Sequence, residues 1–217
     1  GLGRYSRTLV DNLLLNAREE NITINLFKPK GEVCFQASYH PNLKEIPAQY
    51  SLPGHLGNAL WRFMKLPQLV QKEKFDLFHG PSHVLPGKLS CPSVVTMLDL
   101  IFLRYPQYFK AWDRQYYKVS FKKSAQLATH IISTSQSTKN DLIDFFGVDE
   151  NKISVIYPCF DSNFTSLDES SLKDIKSRYQ LPDQYILFVS NIEPRKNIVR
   201  LAQAFDQLKQ ARRLDQQ

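Results

Sequence analysis

Hydrophobic positions along this chain follow two alternating periods. From Arg4 to Ala17, Leu9, Val10, Leu13, Leu14 and Ala17 recur at three- and four-residue steps, the stripe of an amphipathic helix. ITINLF at 22–27 then alternates Ile22, Ile24 and Leu26. After a break at Lys30-Gly31, EVCFQAS at 32–38 keeps a strand-like composition, so two neighbouring strands are predicted. Residues 55–73 return to helical spacing with Leu56, Leu60, Phe63 and Leu66, and Pro67 is expected to end or kink that helix because its ring clashes with the preceding turn.

Four short apolar, β-branched runs follow: FDLFH at 75–79, SVVTM at 93–97, THIISTS at 129–135 and KISVIYP at 152–158. Helix-like stretches at 111–128 and 137–147 lie between them, the second with Ser137 or Thr138 placed to cap it and Asp141 three residues after Thr138. Helices alternating with short, almost fully apolar strands are the pattern of βαβ units, whose parallel strands are covered on both faces. The expected class is therefore α/β, a doubly wound, mostly parallel, Rossmann-like amino-terminal domain over residues 1–162. A polar linker at 163–184, with a short charged helix at 171–180, precedes a further buried-strand run, YILFVS at 185–190. A helix with Ile198, Leu201, Ala202, Phe205 and Leu208 on one face comes next, so 185–217 reads as the first β-α unit of an incomplete second domain.

Composition narrows the class further. Hydrophobic residues at 42% and charged residues at 23% are ordinary for a globular protein and exclude a disordered or fibrous chain. No apolar run reaches the roughly 18–20 residues that cross a bilayer, and no secretory leader is visible, which makes the cytoplasm the default compartment. The chain opens on Gly1 directly into a helical pattern, so both ends are read as cut. Cys34, Cys91 and Cys159 are far apart, odd in number and without metal-ligand spacing, which argues against a disulfide framework or a zinc site. A net charge of +7 suits an anionic small substrate, an anionic membrane surface or a nucleic acid, but the basic residues are dispersed and no nucleic-acid module is visible.

The most informative local chemistry is the turn Glu193-Pro194-Arg195-Lys196-Asn197 between the run at 185–190 and the helix after it. Ligands of parallel α/β folds bind at the carboxyl ends of strands, and a helix amino terminus offers unpaired N–H groups to an anion. Arg195 and Lys196 at such a bend suit a phosphate or diphosphate. Gly1 and Gly3, ahead of the first helix, would let backbone N–H groups approach a phosphate, although turn chemistry explains them as well. His79, ending FDLFH, and Asp99, just after SVVTM, stand where two strands deliver side chains to a cleft, and each could orient a hydroxyl or accept a proton. Ser135, closing THIISTS, and Glu193 complete the substrate-binding set. The remaining histidines show no ligand spacing and no DxD occurs, so no metal is expected. The stretch Phe109 to Phe121, with Trp112, Tyr116, Tyr117 and Lys118 before Lys122-Lys123, reads either as a core-packed helix with its cations in water or as an interfacial helix.

In order and spacing these residues resemble the family-4 retaining glycosyltransferases of the GT-B fold, in their mannosyltransferase-like branch, over nearly the whole chain. GLGRYSRTLVDNLL is similar to the family's opening glycine loop and first helix. FDLFHGPSHVLP with PSVVTMLDLIFLRYPQYF resembles its central strands, ISTSQSTKNDLIDFFGVDENKISVIYPCFD the end of its amino-terminal domain, and ILFVSNIEPRKNIVRLAQAF the start of its carboxy-terminal domain. The resemblance implies two Rossmann-like domains facing across a cleft, a nucleotide-sugar donor held mainly by the second, and an acceptor held by the first. It places Arg195 and Lys196 on the donor diphosphate, and Gly1 and Gly3 against the donor. Asp99 and His79 would line the acceptor side. No cofactor is implied beyond the donor substrate itself. Two departures stand out: Leu98 occupies the place of a family histidine, and Ser190 stands near a usual glycine.

The function expected is transfer of a hexose, with mannose a candidate, from a nucleotide donor to a glycan or lipid-linked acceptor with retention of configuration. A peripheral contact with the inner membrane surface is compatible with the interfacial reading of 109–121, and a nucleic acid partner is not expected. The alternative is a non-catalytic remnant that binds anionic lipid or another polyanion.

Overall fold

The computed structural model describes residues 2–17, 19–29, 40–48, 59–159 and 166–211, with the side chains of Leu2, Lys28 and Pro29 set aside. The chain divides into two compact units, Gly1–Asp161 and Ser162–Gln217.

The first unit opens with helix α1, Leu2–Ala17, whose inner face ends in the buried Leu14 and Ala17. Leu13, expected on that face, is 44% exposed, because the stripe that packs is narrower than the one the apolar residues draw. Strand β1, Ile24–Pro29, pairs in parallel with β2, Leu43–Ala48. The partner foreseen at 32–38 lies outside the described residues, and β2 was not foreseen at all: LKEIPA carries a lysine, a glutamate and a proline, which mask any alternation. Asn42 secures the entry to this pair, its amide donating to Ile22 O at 2.8 Å.

Pro67 does not end its helix. A π-helical turn at Trp61–Lys65 runs into helix α2, Leu66–Glu73, and Pro67 sits in the first turn of α2. A missing N–H is tolerated at that position, and the hydrogen bonding changes register just ahead of the ring, where Leu66 N–H reaches back to Trp61 O.

Four parallel strands make the main sheet in the order β3-β4-β5-β6: Phe78–Gly80, Ser93–Met97, His130–Ser133 and Ile153–Val155. Three each fall within one of the four apolar runs, and β3 runs one residue past the end of FDLFH to Gly80. Between β4 and β5 lie the short helix α3, Ile101–Arg104, and the long α4, Ala111–Leu127; α5, Gln136–Phe146, connects β5 to β6. The core is built from Val95, Met97, Ile131, Ala125, Leu142 and Phe102, all 2% exposed or less. Phe102 meets the rings of Phe109, Tyr117 and Phe121 edge-on, a favoured aromatic geometry. The aromatic stretch therefore divides: Phe109, Tyr117 and Phe121 face the core, while Trp112 is 82% exposed and Tyr116 lies on the outer face.

Helix α5 is capped by Ser135, two positions before Ser137 and three before Thr138, the residues expected to do so. Its Oγ accepts the Thr138 N–H at 3.1 Å. Asp141 is consequently not a capping-box partner; it is buried and receives the Arg104 Nε–H of α3 at 2.6 Å. Gly147 ends α5 at φ +66°, the left-handed conformation that favours glycine there.

The second unit holds α6, Glu169–Arg178, capped by Asp168, then a 3-10 turn at Pro194–Lys196, and α7, Ile198–Gln210. Residues 185–190, expected as a buried strand, belong to no ladder, and Leu187 and Val189 are 73% and 84% exposed. A strand exists only through a partner, and among the described residues this unit contains no other strand to pair with it.

Candidate functional site

In the main sheet the carboxyl ends of β3, β4 and β5 come together, the place where parallel α/β folds present ligand-binding groups. The sequence puts small or hydroxyl-bearing residues at those ends, and they cross-link into one network. Thr96, fully buried on β4, places Oγ1 2.8 Å from His79 Nε2 on β3. The Tyr5 hydroxyl in the first turns of α1 reaches the same Thr96 oxygen at 3.5 Å. His79 is thus a half-buried ring engaged with its neighbouring strand, and burial pushes its imidazole below the ordinary value, favouring the neutral form.

Asp99 follows β4 and is exposed, and its Oδ1 accepts the Ile101 N–H at 3.4 Å across the start of α3. The turn that carries it is anchored on both sides. The Leu98 carbonyl accepts the hydroxyls of Thr134 at 2.8 Å and Thr138 at 3.1 Å. The Leu98 and Asp99 N–H groups point at His83 Nε2, 3.2 and 3.4 Å away. His83, Thr96, Thr134 and Thr138 are the members of this network that motif reasoning passed over. A hydroxyl-rich strand end, TS after HIIS, was a signal for Thr134 alone among the threonines, and nothing in the spacing of the histidines singled out His83.

Gly80 explains how the β3–β4 connection comes so close. A Cβ there would stand 3.0 Å from Leu85 Cδ2 and 3.2 Å from the Val84 carbonyl, so a side chain at this place would press the folded-back loop to give way by a few tenths of an ångström.

Of the remaining expected site residues, Ser135 lies at the end of β5 beside Thr134, with its side chain used as the α5 cap. Gly3 belongs to the first turn of α1 and not to a loop ahead of it, with open space where a side chain would stand, because the helical pattern begins at Leu2. Gly1 lies outside the described residues. In the second unit Arg195 is ion-paired with Glu193, Lys196 is exposed, and Asn197 at φ +57° turns the chain into α7. The structure therefore joins His79 and Asp99 through Thr96, His83 and the end of β4, sets Ser135 on the neighbouring strand end, and places Glu193, Arg195 and Lys196 together on the other unit.

Among the described residues no cluster of three histidine, cysteine, aspartate or glutamate side chains could hold a metal ion. No helix among them is long and apolar enough to cross a membrane.

The chain is 27% identical to O-antigen chain mannosyltransferase B of Escherichia coli over 225 residues, 96% of this chain and 56% of that protein. It is 27% identical over 149 residues to the serotype-specific mannosyltransferase WbdA of Escherichia coli, covering 65% of this chain and 18% of WbdA. The chain thus spans little more than half the length of the first relative and less of the second. Among solved structures, a glycosyltransferase from Rickettsia africae superposes with a TM-score of 0.49 at 14% identity, over 81% of this chain and 46% of that one. HepE of Anabaena, solved with UDP and glucose, gives 0.48 at 18% identity, over 68% and 40%. The model of Glycosyltransferase Family 4 matches residues 6–164, from the second turn of α1 past the last strand of the sheet, and to that family the chain belongs.

Proposed function

We propose that this chain forms the acceptor-side domain and the first donor-side elements of a retaining hexosyltransferase that uses a nucleoside-diphosphate sugar. The observation that carries the reading is the convergence of His79, Asp99 and Ser135 on one edge of the parallel sheet in a chain of this family. Two of the relatives are mannosyltransferases, which favours mannose as the sugar, and a glycan or lipid-linked molecule is the acceptor class.

The chemistry follows from charge. Departure of a nucleoside diphosphate builds negative charge on the leaving oxygen, and fixed cations with helix N–H groups stabilise that charge as it forms. Lys196 and the amino terminus of α7 would do that work, while the ion pair of Glu193 with Arg195 Nε leaves further N–H donors of the fork for a phosphate. On the first unit, the Asp99 carboxylate is the exposed group at the end of β4 suited to orient an acceptor hydroxyl. His79, held neutral, supports it from the next strand. Metal-independent transfer in the cytoplasm is part of the same proposal.

Peripheral membrane contact is supported by one feature. Trp112, Tyr116 and Val119, all exposed, share the outer face of α4 with Lys122 and Lys123, an aromatic and basic face of the kind that lies on anionic headgroups. Co-sedimentation with vesicles containing phosphatidylglycerol, lost in Trp112→Ala, is the expected result; equal binding to neutral vesicles would count against it.

The proposal is tested by incubating the native polypeptide with radiolabelled GDP-mannose or UDP-glucose and lipid-linked glycan acceptors. Transfer that disappears in Asp99→Asn supports it. Vesicle or polyanion binding with no turnover of any nucleotide sugar would favour the non-catalytic alternative.

A further inference from the structure

The loop after β3 does more than connect two strands. His83 returns to β4, where its backbone N–H donates to Thr96 O at 2.9 Å. Its ring stacks on Phe121 of α4 with centroids 4.5 Å apart and planes 9° from parallel. The residue sits at φ +61°, a left-handed conformation in which histidine is enriched over most side chains. So held, Nε2 lies within hydrogen-bond reach of two consecutive backbone N–H groups, those of Leu98 and Asp99.

A ring nitrogen that accepts N–H groups carries no proton, so the other nitrogen, Nδ1, must bear it. Burial favours this neutral ring, with the nearby Asp99 carboxylate pulling the other way. The opposite side of the same turn is tied by Thr134 and Thr138 through the Leu98 carbonyl. Packing on Phe121 alone would require only an aromatic ring; the aim of Nε2 at both amides requires an acceptor.

We propose that His83 is a positioning residue for Asp99: its imidazole accepts the Leu98 and Asp99 N–H groups and fixes the turn that presents the Asp99 carboxylate at the sheet edge. The inference rests on the reading of Asp99 as a group that faces substrate. His83 reaches this turn from the β3–β4 loop, at the point where Leu98 supplies no imidazole of its own.

Two variants separate the acceptor from the ring. His83→Phe keeps the stack on Phe121 and removes the acceptor; His83→Gln offers an amide oxygen of similar reach. Steady-state release of the nucleoside diphosphate from GDP-mannose and UDP-glucose is measured for both, beside Asp99→Asn. The expected result is a kcat reduced at least about tenfold in His83→Phe, the scale of a misplaced reacting group, with KM little changed, and substantial recovery in His83→Gln. Full activity of His83→Phe beside an inactive Asp99→Asn overturns the proposal alone. Full activity of Asp99→Asn overturns the reading of Asp99, and the proposal falls with it. If His83→Phe does not fold or neither donor turns over, imidazole ¹⁵N spectra of the wild-type chain at neutral pH decide: an unprotonated Nε2 coupled to the Leu98 and Asp99 amides supports the clamp, and a protonated Nε2 overturns it.

Discussion

Replacing Thr96 by valine isolates the bond that ties β3 to β4 beneath the site. Valine keeps the branched shape and suits a strand, so the fully buried position is not emptied. What is lost is the hydroxyl 2.8 Å from His79 Nε2. The half-buried imidazole nitrogen is left without that partner, and an unsatisfied buried polar group costs about 1–3 kcal/mol. For a domain of this size that corresponds to a fall of about 2–4 °C in Tm per kcal/mol. Urea unfolding followed by circular dichroism on wild type, Thr96→Val, His79→Leu and the double variant completes a cycle. A coupling energy of about 0.5–1.5 kcal/mol is expected between the two sites. Additive single changes, or a Thr96→Val protein as stable as wild type, would refute the claim that this hydrogen bond organises the strand ends.

Three further outcomes follow from the same geometry. Gly80→Ala should destabilise the first unit by about 1–3 kcal/mol, because the new methyl presses on Leu85 and the Val84 carbonyl; thermal unfolding measures it, and an unchanged Tm would show that the loop yields freely. Stability should decline as pH falls. His79 and His83 both have folded-state values lowered from 6.5 by burial, so below that pH the unfolded chain takes up protons that the fold excludes. Their contribution is complete above the unfolded value and is lost as pH drops through 6.5 toward the lower folded values. Urea midpoints between pH 7.5 and 5.5 should therefore fall, and should fall less steeply in His79→Leu; a flat profile in wild type contradicts the assignment. Lys196→Ala should weaken binding of a nucleoside diphosphate by about 1.5–3 kcal/mol, the scale of a charged hydrogen bond, when UDP and GDP are titrated into the native polypeptide by calorimetry; unchanged affinity for both would remove Lys196 from the donor site.

The apolar runs by themselves determined the α/β class and the positions of the four sheet strands, because a parallel strand buried on both faces must be nearly continuous in hydrophobic, β-branched residues whatever its neighbours are. They equally determined the long helices, whose stripes repeat within a few turns. Family membership was legible from the order of short motifs, each weak alone. What depended on partners distant in sequence could not be read. Residues 185–190 have strand composition but pair with no strand among the described residues, β2 pairs with β1 despite a sequence without alternation, and Pro67, expected to end or kink a helix, sits in the first turn of one just after a change of hydrogen-bond register. The site divides the same way. His79 and Asp99 could be picked out because they close strand-like runs, whereas Thr96, Thr134 and Thr138 are ordinary threonines until the sheet aligns their hydroxyls with a neighbour's carbonyl or ring. Only the tertiary structure brings His83, sixteen residues before Asp99, to the amides at the end of β4. A hydrogen bond depends on direction and distance in space, and local sequence encodes neither for residues that meet only when the sheet forms.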